Sequence, residues 1–332
     1  MSVEKIMSDW KNQSFRPVYW LEGEEDYFID QLVNYAEHNI LNEPEAEFNL
    51  TVFYGKDANW AEVINACKRY PMFAERQVVI LKEAQQMREL EKLESYIQNP
   101  LASTILVVSY KEKKVDARTK FAKLLKEKGE LFSTKKMYDN QLPNWTNNFV
   151  QSRGYSIQPK ALHLLVEHIG NDLSRIANEI EKLLINIGKR KEITEDDIET
   201  YVGISKEYNV FELQSAIMQK DLSKAVQIIQ YFEGNPKAAP IQQILPVLYN
   251  FFSKVYMVYG LPSNDDKTIA AGLGVNPFFV KDFKIASVNY DFLSVQKNLL
   301  LLHEYNLRSI GVNDSGTPDA SLLKELLFKI VN

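Results

Sequence analysis

Short apolar runs set apart by helical spacing constrain the first part of this 332-residue chain more than any other feature. Pro17-Val18-Tyr19-Trp20-Leu21 stops at Gly23, Gln77-Val78-Val79-Ile80-Leu81 stops at Lys82, and Thr104-Ile105-Leu106-Val107-Val108-Ser109 is apolar nearly throughout. Runs of this length with no polar alternation are strands buried on both faces. A fourth stretch, Phe48 to Tyr54, alternates and ends at Gly55, and also reads as a strand. Between them the apolar positions recur at helical spacing. Ile29, Leu32, Val33, Ala36 and Ile40 mark one helix, and Trp60 to about Arg69, capped by Asp57, a second. A charged helix is expected from about Gln86 to Gln98, and a lysine-rich one from Asp116 to Gly129. Buried strands separated by helices require a parallel sheet covered on both faces.

After about residue 135 the strand signal ends. Helices are expected over 140–151, 158–169 and 172–187, with another opened by Thr194 and its Asp197, and this helical unit closes near Gly203. From Tyr208 onward every segment has helical spacing: 209–219, 221–233, 238–260, 266–273, 277–289, 291–310 and 318–331. Breaks are expected at Gly234-Asn235-Pro236, Leu261 to Asn264, Asn276-Pro277 and Gly311 to Pro318. The expected fold class is α/β plus all-α. The domains are 1–140, an α/β domain; 141–205, a small helical domain; and 206–332, a helical bundle.

Composition narrows the function. Lys and Arg total 39 against 44 Asp and Glu, a net charge of −5, which argues against gripping nucleic acid by bulk charge. Cys67 is the only cysteine, so a Cys-cluster metal site and an internal disulfide are excluded, and a reducing compartment fits. The first ten residues mix charged and apolar positions and show no export signal. The stretch Ile244 to Gly260 is too short and too polar to span a bilayer, which needs about 20 apolar residues. A cytoplasmic protein with no membrane partner is expected.

A strand, glycine turn and helix at the start invite a nucleotide site. A P-loop needs GxxxxGK[ST], because backbone N–H groups, a lysine and a hydroxyl hold phosphate and magnesium. The turn here is Glu22-Gly23-Glu24-Glu25-Asp26, with carboxylates where a triphosphate would lie. Those carboxylates suit a helix N-terminus facing water. No cofactor and no metal are therefore expected. His38, His163, His168 and His303 show no metal-ligand spacing and read as solvated or core residues, and Cys67 reads as buried and structural.

Three regions remain. In Tyr70-Pro71-Met72-Phe73-Ala74-Glu75-Arg76, Pro71 ends the preceding helix. The Met72-Phe73 pair either packs under the sheet or forms an exposed plug for a partner's pocket, and the residues alone leave both open. Lys111, Lys113, Lys114, Arg118 and Lys120 begin a basic stretch reaching Lys136. It is a candidate phosphate-backbone track, although a solvated helix face is the simpler reading. Residues 269–283 have the cadence of a helix-turn-helix. Phe278, Phe279, Val280 and Phe283 stand where base-reading side chains would, so a packed helical pair is favoured and a helical DNA-binding regulator is the alternative.

In order and spacing, several segments together resemble the delta subunit family of the bacterial DNA polymerase III clamp loader. They are Pro17 to Glu25, Pro71 to Gln77, Leu142-Pro143-Asn144-Trp145, Gly170-Asn171-Asp172-Leu173, Val210-Phe211-Glu212-Leu213 and Leu273 to Pro277. The resemblance implies an AAA+-like α/β domain without a working P-loop, a helical lid, and a C-terminal helical collar. It implies binding and opening of the beta sliding clamp for loading onto primed DNA during replication. The clamp-binding positions would be Met72 and Phe73, framed by Tyr70 and Pro71, which favours the exposed-plug reading. Further implied partners are the ATP-binding gamma/tau-type and the delta-prime-type loader subunits, through the collar, and primed DNA within the assembled loader. No catalytic site of its own is implied, although the holoenzyme it would serve is a DNA-directed DNA polymerase, a nucleotidyltransferase.

Overall fold

The computed structural model describes residues 3–205, 207–235, 239–314 and 316–332. Lys206 at the expected domain boundary, Pro236 in an expected break, Ala238 at an expected helix start and Ser315 in the Gly311–Pro318 break lie outside the described residues. The chain forms two compact units, Met1–Tyr138 and Asp139–Asn332.

The first unit opens with helix α1 (Val3–Lys11), which buries Val3, Ile6 and Trp10. Strand β1 (Val18–Gly23) is buried at every position. It is followed by α2 (Asp26–Asn39), α3 (Glu43–Asn49), β2 (Leu50–Tyr54), α4 (Trp60–Cys67) and β3 (Gln77–Lys82). Then come α5 (Glu94–Ile97), β4 (Thr104–Lys111), α6 (Lys120–Lys128) and β5 (Glu130–Thr134). The sheet order is β2-β3-β4-β1-β5, and every pairing is parallel. Alternate strand residues enter two cores, one on each face. Tyr19, Leu21, Val78, Ile80, Ile105 and Val107 pack with α1 and α2, whereas Val18, Trp20, Val79, Leu81, Leu106 and Val108 pack with α4 and α6. This is the doubly covered parallel sheet that the apolar runs require.

Several boundaries differ from expectation. Phe48 and Asn49 belong to α3, because Asn42 and Glu45 form a reciprocal capping box that starts a helix reaching Asn49. The cap of α4 is Asn59, whose side chain accepts from the N–H groups of Ala61 and Glu62, not Asp57. The helix expected over 86–98 is broken: short 3₁₀ turns occupy Ala84–Gln86 and Leu90–Leu93, and only α5 is α-helical. Glu83 and Glu89 take left-handed backbone at φ 55°, which interrupts a helical ladder. Thr119, not Asp116, caps α6. Strand β5 follows directly from Gly129 and was not expected; its five residues are too few to stand out from the lysine-rich helix before them.

The second unit contains α7 (Leu142–Ser152), β6 (Ser156–Ile157), α8 (Pro159–Ile169), α9 (Leu173–Asn186), β7 (Glu192–Ile193) and α10 (Glu195–Asp197). A π-helical turn over Ile198–Val202 ends at Gly203. The two-residue strands β6 and β7 pair in parallel, a small ladder that no apolar run announces. Thr194 and Asp197 do form a capping box, and Arg190 adds a hydrogen bond to the Asp197 carboxylate at 3.2 Å. The remaining helices are α11 (Val210–Met218), α12 (Leu222–Gly234), α13 (Ile241–Val258), α14 (Asp266–Leu273), α15 (Val280–Asn289), α16 (Phe292–Ser309) and α17 (Asp319–Val331). One continuous core joins them, with Phe252, Tyr290 and Tyr305 among its largest side chains. Among the described residues no helix is long and apolar enough to cross a membrane.

Candidate functional site

The segment between α4 and β3 is an exposed loop on buried anchors. Helix α4 ends at Cys67, four residues ahead of Pro71. The Gln77 side chain, at the start of β3, holds that helix end. Its amide donates to the carbonyls of Ala66 at 3.2 Å and Arg69 at 2.6 Å, and to the Thr104 hydroxyl at 2.8 Å. Thr104 in turn donates to the Cys67 carbonyl at 2.9 Å. A buried amide must find such partners or lose the free energy of its hydration. The Arg76 guanidinium lies 4.6 Å from the centre of the Phe15 ring. From these anchors the loop turns outward: Tyr70 is 77% exposed, Met72 54% and Phe73 97%, and Pro71 is half-buried. Phe73 adopts left-handed backbone at φ 55°. A non-glycine residue there costs roughly 1–3 kcal/mol and persists only where its surroundings fix it. Of the two readings that the residues leave open, the structure has the pair exposed.

The turn after β1 is the opposite kind of place. The Glu22 carboxylate is buried, accepting from the Val115 N–H at 2.9 Å and the Ser133 hydroxyl at 2.7 Å. The Glu25 N–H donates to the Thr134 hydroxyl at 3.1 Å, which itself donates to the Glu22 carbonyl at 3.2 Å. A Cβ on Gly23 would run into the backbone and hydroxyl of Thr134. Gly23 and Thr134 are paired residues of β1 and β5, so this close approach is part of the sheet. Only Glu24 of the first two carboxylates after Gly23 faces water; Glu25 is buried, and burial raises its pKa. Equilibrium dialysis with labelled ATP is expected to show no saturable retention, and a saturating isotherm would overturn this reading of the turn.

The basic stretch divides. Lys111 is 15% exposed in its side chain and pairs with Asp30 at 2.7 Å and Glu83 at 3.3 Å. Burial pulls its pKa down, but the hydrogen bond to Asp30 and the charges of Asp30 and Glu83 outweigh this and hold it above the usual lysine value. Lys114 lies 3.9 Å from Glu24, and Arg118 pairs with Asp116 at 2.9 Å. Lys113 and Lys120 are exposed. The five do not form one cluster of free cations.

The remaining titratable groups read as structural. Cys67 is fully buried and burial pushes its thiol up to about 12. His163 packs 4.1 Å from the Phe211 ring and 4.9 Å from Phe279, centroid to centroid. Among the described residues no cluster of three His, Cys, Asp or Glu is placed to hold a metal. In the 269–283 region, Ile269, Leu273, Val280 and Phe283 lie in the core of the second unit, while Phe278 is exposed.

Burial, aided by the charge of Lys254, pushes His163 down from its ordinary 6.5 to about 4. The folded state thus favours the neutral ring. Its contribution to stability is complete above about pH 6.5 and is lost as the pH falls through about 4. Urea unfolding of the chain should show the second unit weakening across that window, with a shallower slope in His163→Phe. An NMR titration midpoint for His163 near 6.5 would overturn the assignment.

The fold defines the class: a parallel α/β unit, whose first turn lacks the GxxxxGK[ST] motif, followed by a helical unit. The profile of the family "DNA polymerase III, delta subunit" matches residues 19–135. The chain is 29% identical over 338 aligned positions to DNA polymerase III subunit delta of Bacillus subtilis, covering 98% of this chain and 96% of the relative. It is 23% identical over 281 positions to a probable DNA polymerase III subunit delta of Aquifex aeolicus, covering 80% and 77%. Among solved structures, the Bacillus subtilis DNA clamp loader delta protein superposes with a TM-score of 0.55 at 26% identity, covering 99% of both chains. Over nearly its whole length the chain is similar to DNA polymerase III delta subunits.

Sequence reasoning did not single out Asn49. It is buried, and its side chain holds the backbone of Met72. Its place at a helix end, one residue before a strand, was obscured by reading Phe48 to Tyr54 as a single strand.

Proposed function

We propose that this chain is the clamp-binding subunit of a DNA polymerase III clamp loader, and that it binds and opens the ring-shaped beta clamp through Met72 and Phe73. The single observation that carries the reading is the exposed Met72-Phe73 tip on a loop whose ends are fixed by buried side chains. Exposed aromatic and methionine side chains on a rigid base are what a partner's apolar pocket selects. The match of residues 19–135 to the delta-subunit family and the likeness to a clamp loader delta protein support it. Tyr70 and Pro71 frame the plug. Neighbouring loader subunits of the ATP-binding gamma/tau type and of the delta-prime type hold the chain through the helices after residue 205, as a collar, with residues 141–205 as a lid. ATP binding by those neighbours presents the loop, and a partner that prefers the open clamp shifts the ring towards opening. The chain itself brings no catalytic group to the holoenzyme, and it works in the cytoplasm.

Primed DNA passes within the assembled loader. Among the basic residues, Lys113 and Lys120 are the better contacts to its backbone, because Lys111, Lys114 and Arg118 already face carboxylates. The test is retention of the same organism's sliding clamp by the immobilised full-length chain. Retention that survives replacement of residues 70–73 by a Gly-Ser segment would overturn the site.

A further inference from the structure

At the loop tip, the backbone of Met72 is held by one side chain. Asn49 is the last residue of α3 and is only 3% exposed, an unusual place for an asparagine. Its Oδ1 accepts the Met72 N–H at 2.6 Å and its Nδ2 donates to the Met72 carbonyl at 2.9 Å. The same Nδ2 donates to the Glu45 carbonyl at 2.9 Å, which anchors the amide to its own helix. A primary amide is the one short side chain that offers both an acceptor and two donors, so it satisfies both polar groups of a single residue's backbone. Aspartate offers only acceptors and would face two carbonyl oxygens; alanine offers nothing.

The consequence falls on the next residue. With Met72 pinned on both sides of its Cα, the chain leaves the body in the left-handed conformation recorded at Phe73, and the ring is held away from the unit's own core. Without the pin, nothing in the hydrogen bonding recorded for Met72 would keep its side chain and the Phe73 ring in fixed relation. We propose that Asn49 is a positioning residue of the docking site: it makes no contact with the partner but sets the backbone from which Met72 and Phe73 project. This rests on the clamp-docking reading. Its effect is preorganisation, because a loop already ordered in the free protein loses less freedom on binding.

Clamp affinity of the full-length chain, measured by surface plasmon resonance against the same organism's clamp, tests it in four forms: unaltered, Asn49→Ala, Phe73→Ala and the double variant. Asn49→Ala is expected to weaken binding about 10-fold, and to change it less than about 2-fold once Phe73 is already alanine. Asn49→Asp, which would set a buried carboxylate oxygen against the Glu45 and Met72 carbonyls, should bind no more tightly than Asn49→Ala. If Phe73→Ala binds as tightly as the unaltered chain, the docking reading fails and takes the proposal with it. If Phe73→Ala weakens binding and Asn49→Ala does not, docking stands and the proposal is overturned. Equal losses from Asn49→Ala in both backgrounds would mark a general structural effect and also overturn it. Should Asn49→Ala not fold, amide hydrogen exchange of the unaltered chain decides. Met72 is expected to exchange at least about 100-fold more slowly than an unstructured peptide, and exchange at the peptide rate overturns the proposal.

Discussion

Alanine at both Met72 and Phe73 is expected to cost about 2–4 kcal/mol of affinity for the sliding clamp, roughly a 30- to 900-fold rise in Kd. The size follows from what the free chain leaves in water. Phe73 is almost wholly exposed and Met72 more than half, so a pocket that receives them removes apolar surface that folding does not already bury. Full burial of either side chain is worth about 1.5–3 kcal/mol, part of which is offset by the ordering of both partners. Because neither ring nor thioether is in the core, the double variant should fold normally, with a stability change under about 0.5 kcal/mol. Calorimetric titration of the folded double variant against the clamp checks the affinity, and urea unfolding checks the stability. Unchanged affinity would remove these residues from the interface.

The second large effect is in the sheet. Trp20→Ala should destabilise the first unit by about 3–5 kcal/mol, the range for deleting a buried aromatic. Trp20 is fully buried on β1, beside the central strand β4, edge-on to Phe121 at 5.2 Å and 5.6 Å from the Tyr110 ring. Its indole N–H is buried with no hydrogen-bond partner. Phenylalanine would remove that unpaired donor while keeping most of the packing, so Trp20→Phe should cost clearly less than Trp20→Ala. Urea unfolding followed by far-UV circular dichroism compares the two, and equal losses would show that the packing account is wrong.

Much of the architecture is written in the chain because burial on two faces leaves no choice of residue. Val78 to Leu81 and Ile105 to Val108 must be apolar at every position, and that continuity is visible without a structure. Strand β5 escaped because its outer positions, Glu130 and Ser133, are polar, as a sheet edge permits. The cap positions slipped by two or three residues, since Asp57 and Asn59, or Asp116 and Thr119, offer the same oxygen chemistry, and which is used depends on where the chain turns. At the docking loop, composition pointed to Met72 and Phe73 but could not say whether they face in or out. The loop is held by Asn49 and Gln77, and each makes a hydrogen bond to a residue distant in sequence, Met72 and Thr104. Long-range polar contacts of that kind have no periodicity to betray them. The same holds for Lys111, whose neutralising partners Asp30 and Glu83 are far from it along the chain.

The strand order has a consequence for how the protein is made. β1 lies between β4 and β5, so the first strand to leave the ribosome has no sheet partner until residues 104–134 follow it. At the usual rate of about 5–20 residues per second, Val18 to Leu21 wait on the order of 10 s with their apolar side chains unpaired. A nascent chain with about 100 residues outside the ribosome would hold β1, β2 and β3 but not β4, which joins β3 to β1, and should be bound by a holdase chaperone until the rest emerges.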